Sequence, residues 1–75
     1  MKDKIYQFSK NFAKNLKEER LLHHMTQQKL AEQIGIKTQS YQAYESGLSM
    51  PTVENLLKIS LILNISIDDL FEIHW

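Results

Sequence analysis

The chain is short, carries no net formal charge and contains no cysteine. Its 75 residues leave room for one hydrophobic core and no second domain, and 43% of them are hydrophobic. Without cysteine it can form neither a disulfide nor a thiolate zinc site, so helix packing must supply its stability. No apolar run could span a membrane, and the first ten residues lack a signal-peptide core, so we expect a cytoplasmic protein.

The first predicted element is a long amphipathic helix over residues 4–22. Ile5, Phe8, Phe12 and Leu16 recur at spacings of three and four residues, so they form one apolar stripe. This stripe predicts that one face of the helix packs against the rest of the chain.

Residues 26–36 predict a short second helix with a defined start and end. Leu30 and Ile34 recur at helical spacing, and the Thr26 hydroxyl can accept a backbone N–H bond from the first turn. Gly35 follows the last apolar residue, where a left-handed residue commonly ends a helix.

A third helix is predicted over residues 37–46. Tyr41 and Tyr44 lie three residues apart and face inward together, and Gly47 ends the helix as Gly35 ended the one before. The outer face is left to small or polar side chains, namely Thr38, Gln39, Gln42 and Ala43. Two short helices joined by a tight turn are the layout of a helix-turn-helix, which places side chains against base edges in the DNA major groove.

Two more helices are predicted after the loop that ends at Pro51. The fourth covers residues 53–63, and Ser66 opens the fifth with Asp69 three residues on, a short analogue of a capping box. Over residues 71–75 apolar and polar residues alternate, which is a weak strand signal.

Residues 16–71 resemble the phage-repressor/Cro-like helix-turn-helix regulators, also called the xenobiotic-response-element type. The resemblance rests on three segments, MTQQKLAEQIGI, YQAYESG and PTVENLLKISLILNISIDDLF. It implies an all-α fold, a compact five-helix bundle of the lambda-repressor-like kind that forms one domain over residues 1–75. Its third helix is then the recognition helix. Relatives usually carry a glycine where this chain has His24, and a left-handed histidine costs energy.

The outer face of the third helix supplies the candidate contacts to bases. Glutamine can bond adenine through both ends of its amide, and threonine or alanine methyl groups can pack on thymine. We therefore expect base contacts from Thr38, Gln39, Gln42 and Ala43. The alternative is that these are merely solvated helix residues.

Phosphate contacts are expected from the helix starts, where free backbone N–H groups and the helix dipole favour an anion. The candidates are Gln27 in the second helix and Lys37 and Ser40 in the third. For Lys37 and Ser40, capping or solvation of the first turn stays open as the alternative.

The resemblance also implies one structural ion pair, between Arg20 late in the first helix and Glu45 near the end of the third. Such a pair would fix helix orientation more than it would add net stability. The adjacent histidines His23 and His24 point about 100° apart on a helix, so we expect no metal site there. No cofactor and no small-molecule ligand are expected.

Charge is unevenly distributed along the chain. Residues 1–20 carry six basic and three acidic residues, whereas residues 51–75 carry one basic and four acidic residues. A polar distribution of this kind can orient a protein on DNA with its acidic end outward. The chain shows no nucleophile–base set and no phosphate-binding glycine loop, so we do not expect an enzyme.

The sequence therefore predicts a double-stranded DNA-binding transcriptional regulator, a repressor that acts as a homodimer on a pseudo-palindromic operator. An antitoxin, a controller of a restriction system, or a protein-interaction module without DNA contacts stays open as an alternative. The last is favoured by the neutral net charge and by the loop SGLSMP, which lacks basic residues. Apolar residues predict a dimer interface, with residues 71–75 as a dimerisation tail. They are Leu61, Ile67, Phe71 and Trp75.

Overall fold

The computed structural model describes residues 2–73, and these residues form five helices. In chain order they are α1 (Lys2–Leu22), α2 (Gln27–Ile34), α3 (Thr38–Ser46), α4 (Val53–Leu63) and α5 (Ile67–Phe71). The predicted all-α, five-helix architecture is confirmed. Helix α1 begins two residues earlier than the sequence predicts, and α3 begins one residue later, at Thr38.

The apolar stripe of α1 is buried only in its middle part. Phe12 and Leu16 are fully buried, whereas Ile5 is exposed. The 21 residues of α1 span about 31 Å at 1.5 Å per residue, which matches the 34 Å long dimension of the molecule. The first turns of α1 therefore contribute little to the core.

Three helices begin at a hydroxyl residue that accepts a bond from the backbone N–H three residues on. Thr26 accepts this bond from Lys29 at the start of α2, as the sequence predicts. Thr52 and Ser66 do the same at the starts of α4 and α5. Each cap satisfies a backbone donor that has no partner inside the helix, and a cap of this kind contributes about 1 kcal/mol.

Left-handed residues end the helices around the turn. Gly35 closes α2 with a φ of 89°, and Gly47 closes α3 with a φ of 81°. His24, which follows α1, has a φ of 56°, so the conformation expected at this position is present. A Cβ in this region is strained, and glycine avoids that cost at the two turns next to α3.

The core is built from side chains of all five helices. Tyr41 and Tyr44 both face inward, with their rings edge to face and the centroids 6.2 Å apart. The buried apolar side chains are Phe12, Ala13, Leu16, Leu30, Ala31, Ile34, Tyr41, Tyr44, Ile59, Leu63 and Leu70. This packing fixes the angle between α2 and α3 and leaves their outer faces to solvent.

The end of the described chain is tied back to α1 by side-chain amides. Asn15 donates from Nδ2 to the backbone oxygen of Leu70 at 2.9 Å, and Asn11 donates to the backbone oxygen of Phe71 at 3.2 Å. The Phe71 ring stacks on Phe12 with centroids 5.0 Å apart. The C-terminal part therefore packs on its own domain.

The strand predicted over residues 71–75 is wrong for its first residues. Phe71 is the last residue of α5, and Glu72 follows in a left-handed conformation with a φ of 56°. The backbone N–H of Ile73 then bonds the oxygen of Asp68 at 2.9 Å, which closes the helix end. Trp75, predicted as an interface residue, lies outside the described residues.

Candidate nucleic-acid interface

Helices α2 and α3 present two different faces. Leu30, Ala31 and Ile34 of α2 pack with Tyr41 and Tyr44 of α3 in the core. The opposite face of α3 carries no large apolar side chain. An amphipathic helix held by its tyrosines in this way can lie in a groove with its outer face against a ligand.

The four predicted base-contact residues divide by exposure. Gln39 and Gln42 are exposed on α3, whereas Thr38 and Ala43 are half-buried. The two glutamine side chains are therefore the more accessible of the four. The methyl groups of Thr38 and Ala43 are less exposed, so they could touch only a surface that approaches the helix closely.

The three predicted phosphate-contact residues also differ in setting. Lys37 is exposed and has the extended backbone of an N-cap, but its side chain makes no capping bond. Ser40 is exposed in the first turn of α3. Gln27 is half-buried, and its amide is engaged inside the protein. A phosphate contact by Gln27 would therefore use its remaining side-chain N–H or its backbone N–H.

The expected partners Arg20 and Glu45 form a nearly buried ion pair between α1 and α3. Arg20 Nε lies 2.7 Å from Glu45 Oε2, and Arg20 Nη2 lies 3.2 Å from Oε1, so the guanidinium binds both carboxylate oxygens. The side chains are 9% and 5% exposed. Arg20 Nη1 also donates to the backbone oxygen of Met25 at 2.9 Å, just before α2. One arginine of α1 is thus bonded both to α3 and to the segment just before α2.

Two further donors complete the coordination of the Glu45 carboxylate. The Tyr41 hydroxyl donates to Oε2, and Gln27 Nε2 donates to Oε1 at 3.1 Å. Burial alone would raise the pKa of Glu45, but the bonds from Arg20, Tyr41 and Gln27 outweigh it and lower that pKa. Burial and the neighbouring carboxylate raise the pKa of the Tyr41 phenol. Glu45 is therefore an anion and Tyr41 a neutral donor at neutral pH.

One contact at this site is not indicated by the sequence. Gln42 Nε2 donates to Gln27 Oε1 at 3.3 Å, so a residue on the outer face of α3 is joined to the buried ion pair. The two glutamines are 15 residues apart and belong to different helices. Their contact depends on the α2–α3 angle, and no spacing rule for a single helix could have indicated it.

This arrangement has the geometry of a helix-turn-helix: a capped α2, a glycine turn and an α3 with a polar outer face. Among the described residues no helix is both long and apolar enough to cross a membrane. The fold and the site define a helix-turn-helix DNA-binding domain.

Comparison with protein families agrees with this class. Residues 16–70 match the model of the family described as Helix-turn-helix, HTH_3. The chain belongs to this family of Cro/C1-type DNA-binding transcriptional regulators, which are not enzymes and share a lambda-repressor-like fold.

Several curated proteins are similar to the chain. The Cryptic phage CTXphi transcriptional repressor RstR of Vibrio cholerae is 56% identical over 45 residues, which cover 60% of this chain and 40% of that protein. The uncharacterized HTH-type transcriptional regulator YqaE of Bacillus subtilis is 41% identical over 61 residues, covering 81% of this chain and 53% of YqaE. The regulator MJ0272 of Methanocaldococcus jannaschii is 36% identical over 56 residues, covering 75% of this chain and 85% of MJ0272.

The residues of the chain that align with the first two of these relatives thus span only about half of each relative's length. No solved structure matched the chain.

Proposed function

We propose that the chain is a repressor that binds a pseudo-palindromic DNA operator as a homodimer, with α3 in the major groove. The observation that carries the proposal is the pair of exposed glutamines, Gln39 and Gln42, on a helix whose inner face is held by a buried ion pair. The similarity to a protein named as a transcriptional repressor supports the direction of regulation.

In this proposal the amides of Gln39 and Gln42 read base edges. An amide offers an acceptor beside a donor, which is the complement of the N6 donor and N7 acceptor of adenine. Thr38 and Ala43 add contacts from their methyl groups to the methyl groups of thymine on the floor of the groove. The ion pair that attaches α3 to α1 holds the helix in place before binding, so little backbone freedom is lost when the helix binds.

Phosphate contacts would set the position of the domain on the duplex. Lys37 and Ser40 are exposed at the start of α3, and Lys29 is exposed on α2. Few cations lie near this surface, so we propose that few counterions are released on binding and that non-specific affinity is modest. Sequence readout then carries a large share of the binding free energy.

The first test is selection of binding sites from random duplex DNA with the purified protein. We expect one enriched sequence with two-fold symmetry. The Gln39→Ala and Gln42→Ala variants should each lose preference at one symmetric pair of positions, by about 1–3 kcal/mol for a bidentate contact. Quantitative binding curves on the selected site and on single-base variants give these values.

Gln33→Ala is the matched control, since Gln33 is an exposed glutamine on α2, in the last turn of that helix, and not on α3. It should keep the affinity and the preference of the parent. An unchanged base preference in both α3 variants would contradict the proposed docking. Absence of any DNA binding by the parent would favour a protein-interaction module instead.

The proposed dimer uses the exposed apolar stripe of α4. Val53, Leu57 and Leu61 recur every four residues and are 74%, 51% and 81% exposed. A contiguous apolar surface of this kind usually marks an interface. Of the other residues predicted for the interface, Ile67 is half-buried, and Phe71 is stacked on Phe12. Leu61 therefore becomes the principal contact of the proposed interface.

We expect the parent to be a dimer at micromolar concentration by sedimentation equilibrium. Leu61→Glu should shift it to monomer, because two carboxylates would be buried at the two-fold axis without partners. The variant should also bind the full operator more weakly, since the two recognition helices would no longer be held about 34 Å apart. A parent that is monomeric at high micromolar concentration would exclude this interface in the absence of DNA.

Leu22→Glu is the matched control for the dimer experiment. Leu22 is 69% exposed at the end of α1, so it belongs to a different helix from the α4 stripe. The control should stay dimeric with an unchanged melting temperature. Equal loss of dimer in the two variants would point to a general effect of added charge.

A further inference from the structure

A cleft lies between the N-terminal half of α1 and the C-terminal end of α3. This α1–α3 cleft has a volume of about 390 Å³ and is lined by Tyr6, Ser9, Lys10, Ala13, Ser46 and Gly47. The volume is at the small end of the range for ligand pockets, so the cleft suits a group of few atoms rather than a large ligand.

The α1–α3 cleft opens beside the face of α3 that is proposed to contact DNA. Gln39, Gln42 and Ser46 recur at spacings of three and four residues, so they lie along one face of α3, and all three are exposed. Ser46 is the last residue of that face and also lines the cleft. A duplex that lies along this face therefore passes beside the cleft.

Lys10 is the one charged side chain among the described residues that line the cleft. No carboxylate neutralises it from its own helix, because the positions three and four residues away are Tyr6, Gln7, Ala13 and Lys14. Within residues 2–73 no acidic side chain forms an ion pair with it. Its charge is therefore available to an anion from outside the domain.

The other polar groups of the cleft leave this role to the lysine. Ser9 and Ser46 each donate their hydroxyl proton to a backbone oxygen of their own helix. Lys10 Nζ lies 5.4 Å from the centroid of the Tyr6 ring, a cation–π contact that restrains the ammonium beside the cleft.

We propose that the α1–α3 cleft of each protomer binds one phosphate of the DNA backbone through the Lys10 ammonium. This inference rests on the proposed function, because it takes α3 to lie in the major groove. A phosphodiester offers the negative charge and the acceptor oxygens that an unpaired ammonium binds. Tyr6 and Lys10 precede residues 16–70, so the family match does not cover this half of the cleft. One such contact adds a single released counterion per protomer to a surface that is otherwise poor in cations.

The first test measures binding of the parent and Lys10→Gln to the selected operator over a range of salt concentrations. The plot of log affinity against log salt should become shallower by about 0.9 for each bound protomer. Affinity should fall by about twofold to fivefold per protomer, the range of an exposed ion pair. Base preference should not change, because a phosphate carries no base identity. Lys10→Arg keeps the charge and should keep the slope of the parent.

The second test locates the phosphate. Each phosphate of the operator is replaced in turn by an uncharged methylphosphonate, and binding of the parent and Lys10→Gln is compared. At one symmetric pair of positions the replacement should weaken binding by the parent but not by Lys10→Gln, because the variant has already lost that contact.

Lys14→Gln is the matched control, since Lys14 is exposed one turn further along α1 and does not line the cleft. It should keep the salt dependence of the parent, and both glutamine variants should keep its melting temperature because both lysines are exposed. Equal changes of slope in the two variants, or a shallower slope for Lys10→Gln with no position that responds differently in the phosphate scan, would overturn the inference in favour of a general effect of charge. Selective DNA binding by the parent with an unchanged slope in Lys10→Gln would overturn the inference alone. A parent that selects no DNA sequence would overturn the proposed function and this inference together.

Discussion

Replacing Arg20 with methionine is expected to lower the free energy of unfolding by about 3–5 kcal/mol. The substitution keeps most of the side-chain volume but leaves the Glu45 carboxylate, 5% exposed, without its cation. The bonds from Tyr41 and Gln27 remain, and two neutral donors cannot replace a bidentate guanidinium. The backbone oxygen of Met25 also loses its partner.

Urea titration followed by circular dichroism measures this loss. Lys17→Met is the matched control, because Lys17 is exposed on the same helix, and its removal should change stability by less than about 0.5 kcal/mol. Replacing Arg20 and Glu45 together by methionine should recover much of the loss, since no unpaired charge is then buried. Equal stability of the parent and Arg20→Met would mean that Glu45 is well solvated without Arg20.

The same variant should respond to acid in the opposite sense to the parent. In the parent the pKa of Glu45 is lowered below its unfolded value of about 4.3. Its contribution to stability is therefore complete above about pH 5 and is lost as the pH falls through the folded pKa. In Arg20→Met, burial is opposed only by the bonds from Tyr41 and Gln27, so it should raise the pKa of Glu45, and protonation then relieves the buried charge. The stability difference between the two proteins should shrink from pH 7 to pH 4.

Replacing Tyr44 with alanine is expected to cost about 3–5 kcal/mol, the range for truncating a large buried aromatic side chain. Tyr44 is 7% exposed and packs edge to face against Tyr41 in the core. Asn55 Nδ2 donates to its hydroxyl at 3.3 Å, which ties α3 to α4. A domain of 75 residues has about 4–11 kcal/mol of stability in total, so this variant should be partly unfolded near body temperature.

Thermal melts by circular dichroism distinguish the ring from its hydroxyl. Tyr44→Phe removes only the bond from Asn55 and should cost about 1 kcal/mol. DNA binding by Tyr44→Ala should decline in step with the folded fraction. A melting temperature near that of the parent, with DNA binding lost, would instead make Tyr44 a direct contact to the nucleic acid.

Local sequence rules were sufficient for the helices and most of their ends. Apolar spacing indicated α2 and α4, and the inward pair Tyr41 and Tyr44 indicated the buried face of α3. Thr26 and Gly35 marked the two ends of α2 because a cap and a left-handed turn depend on residues within one turn of each other. These signals act over three or four residues, which is the range that a sequence displays directly.

The C-terminal part was decided by packing. Alternation after residue 70 favoured a strand, yet Phe71 ends α5 and stacks on Phe12, 59 positions earlier in the chain. Burial of an aromatic ring against the core outweighs a weak alternating pattern over five residues. Similarly, Ile5 belongs to the apolar stripe of α1 but is exposed, because no other helix covers that turn.

The residues of the proposed interface could be chosen from sequence, whereas their hydrogen-bond geometry required the tertiary structure. The sequence indicated Gln39 and Gln42 as outward residues of α3, because periodicity alone separates the two faces of a helix. The contact of Gln42 with Gln27, and of Gln27 with Glu45, joins α2 and α3 side chains 15 and 18 residues apart. These contacts exist because core packing sets the angle between α2 and α3. Only that angle brings the donor nitrogens within about 3 Å of the acceptor oxygens, which is the distance that a hydrogen bond requires.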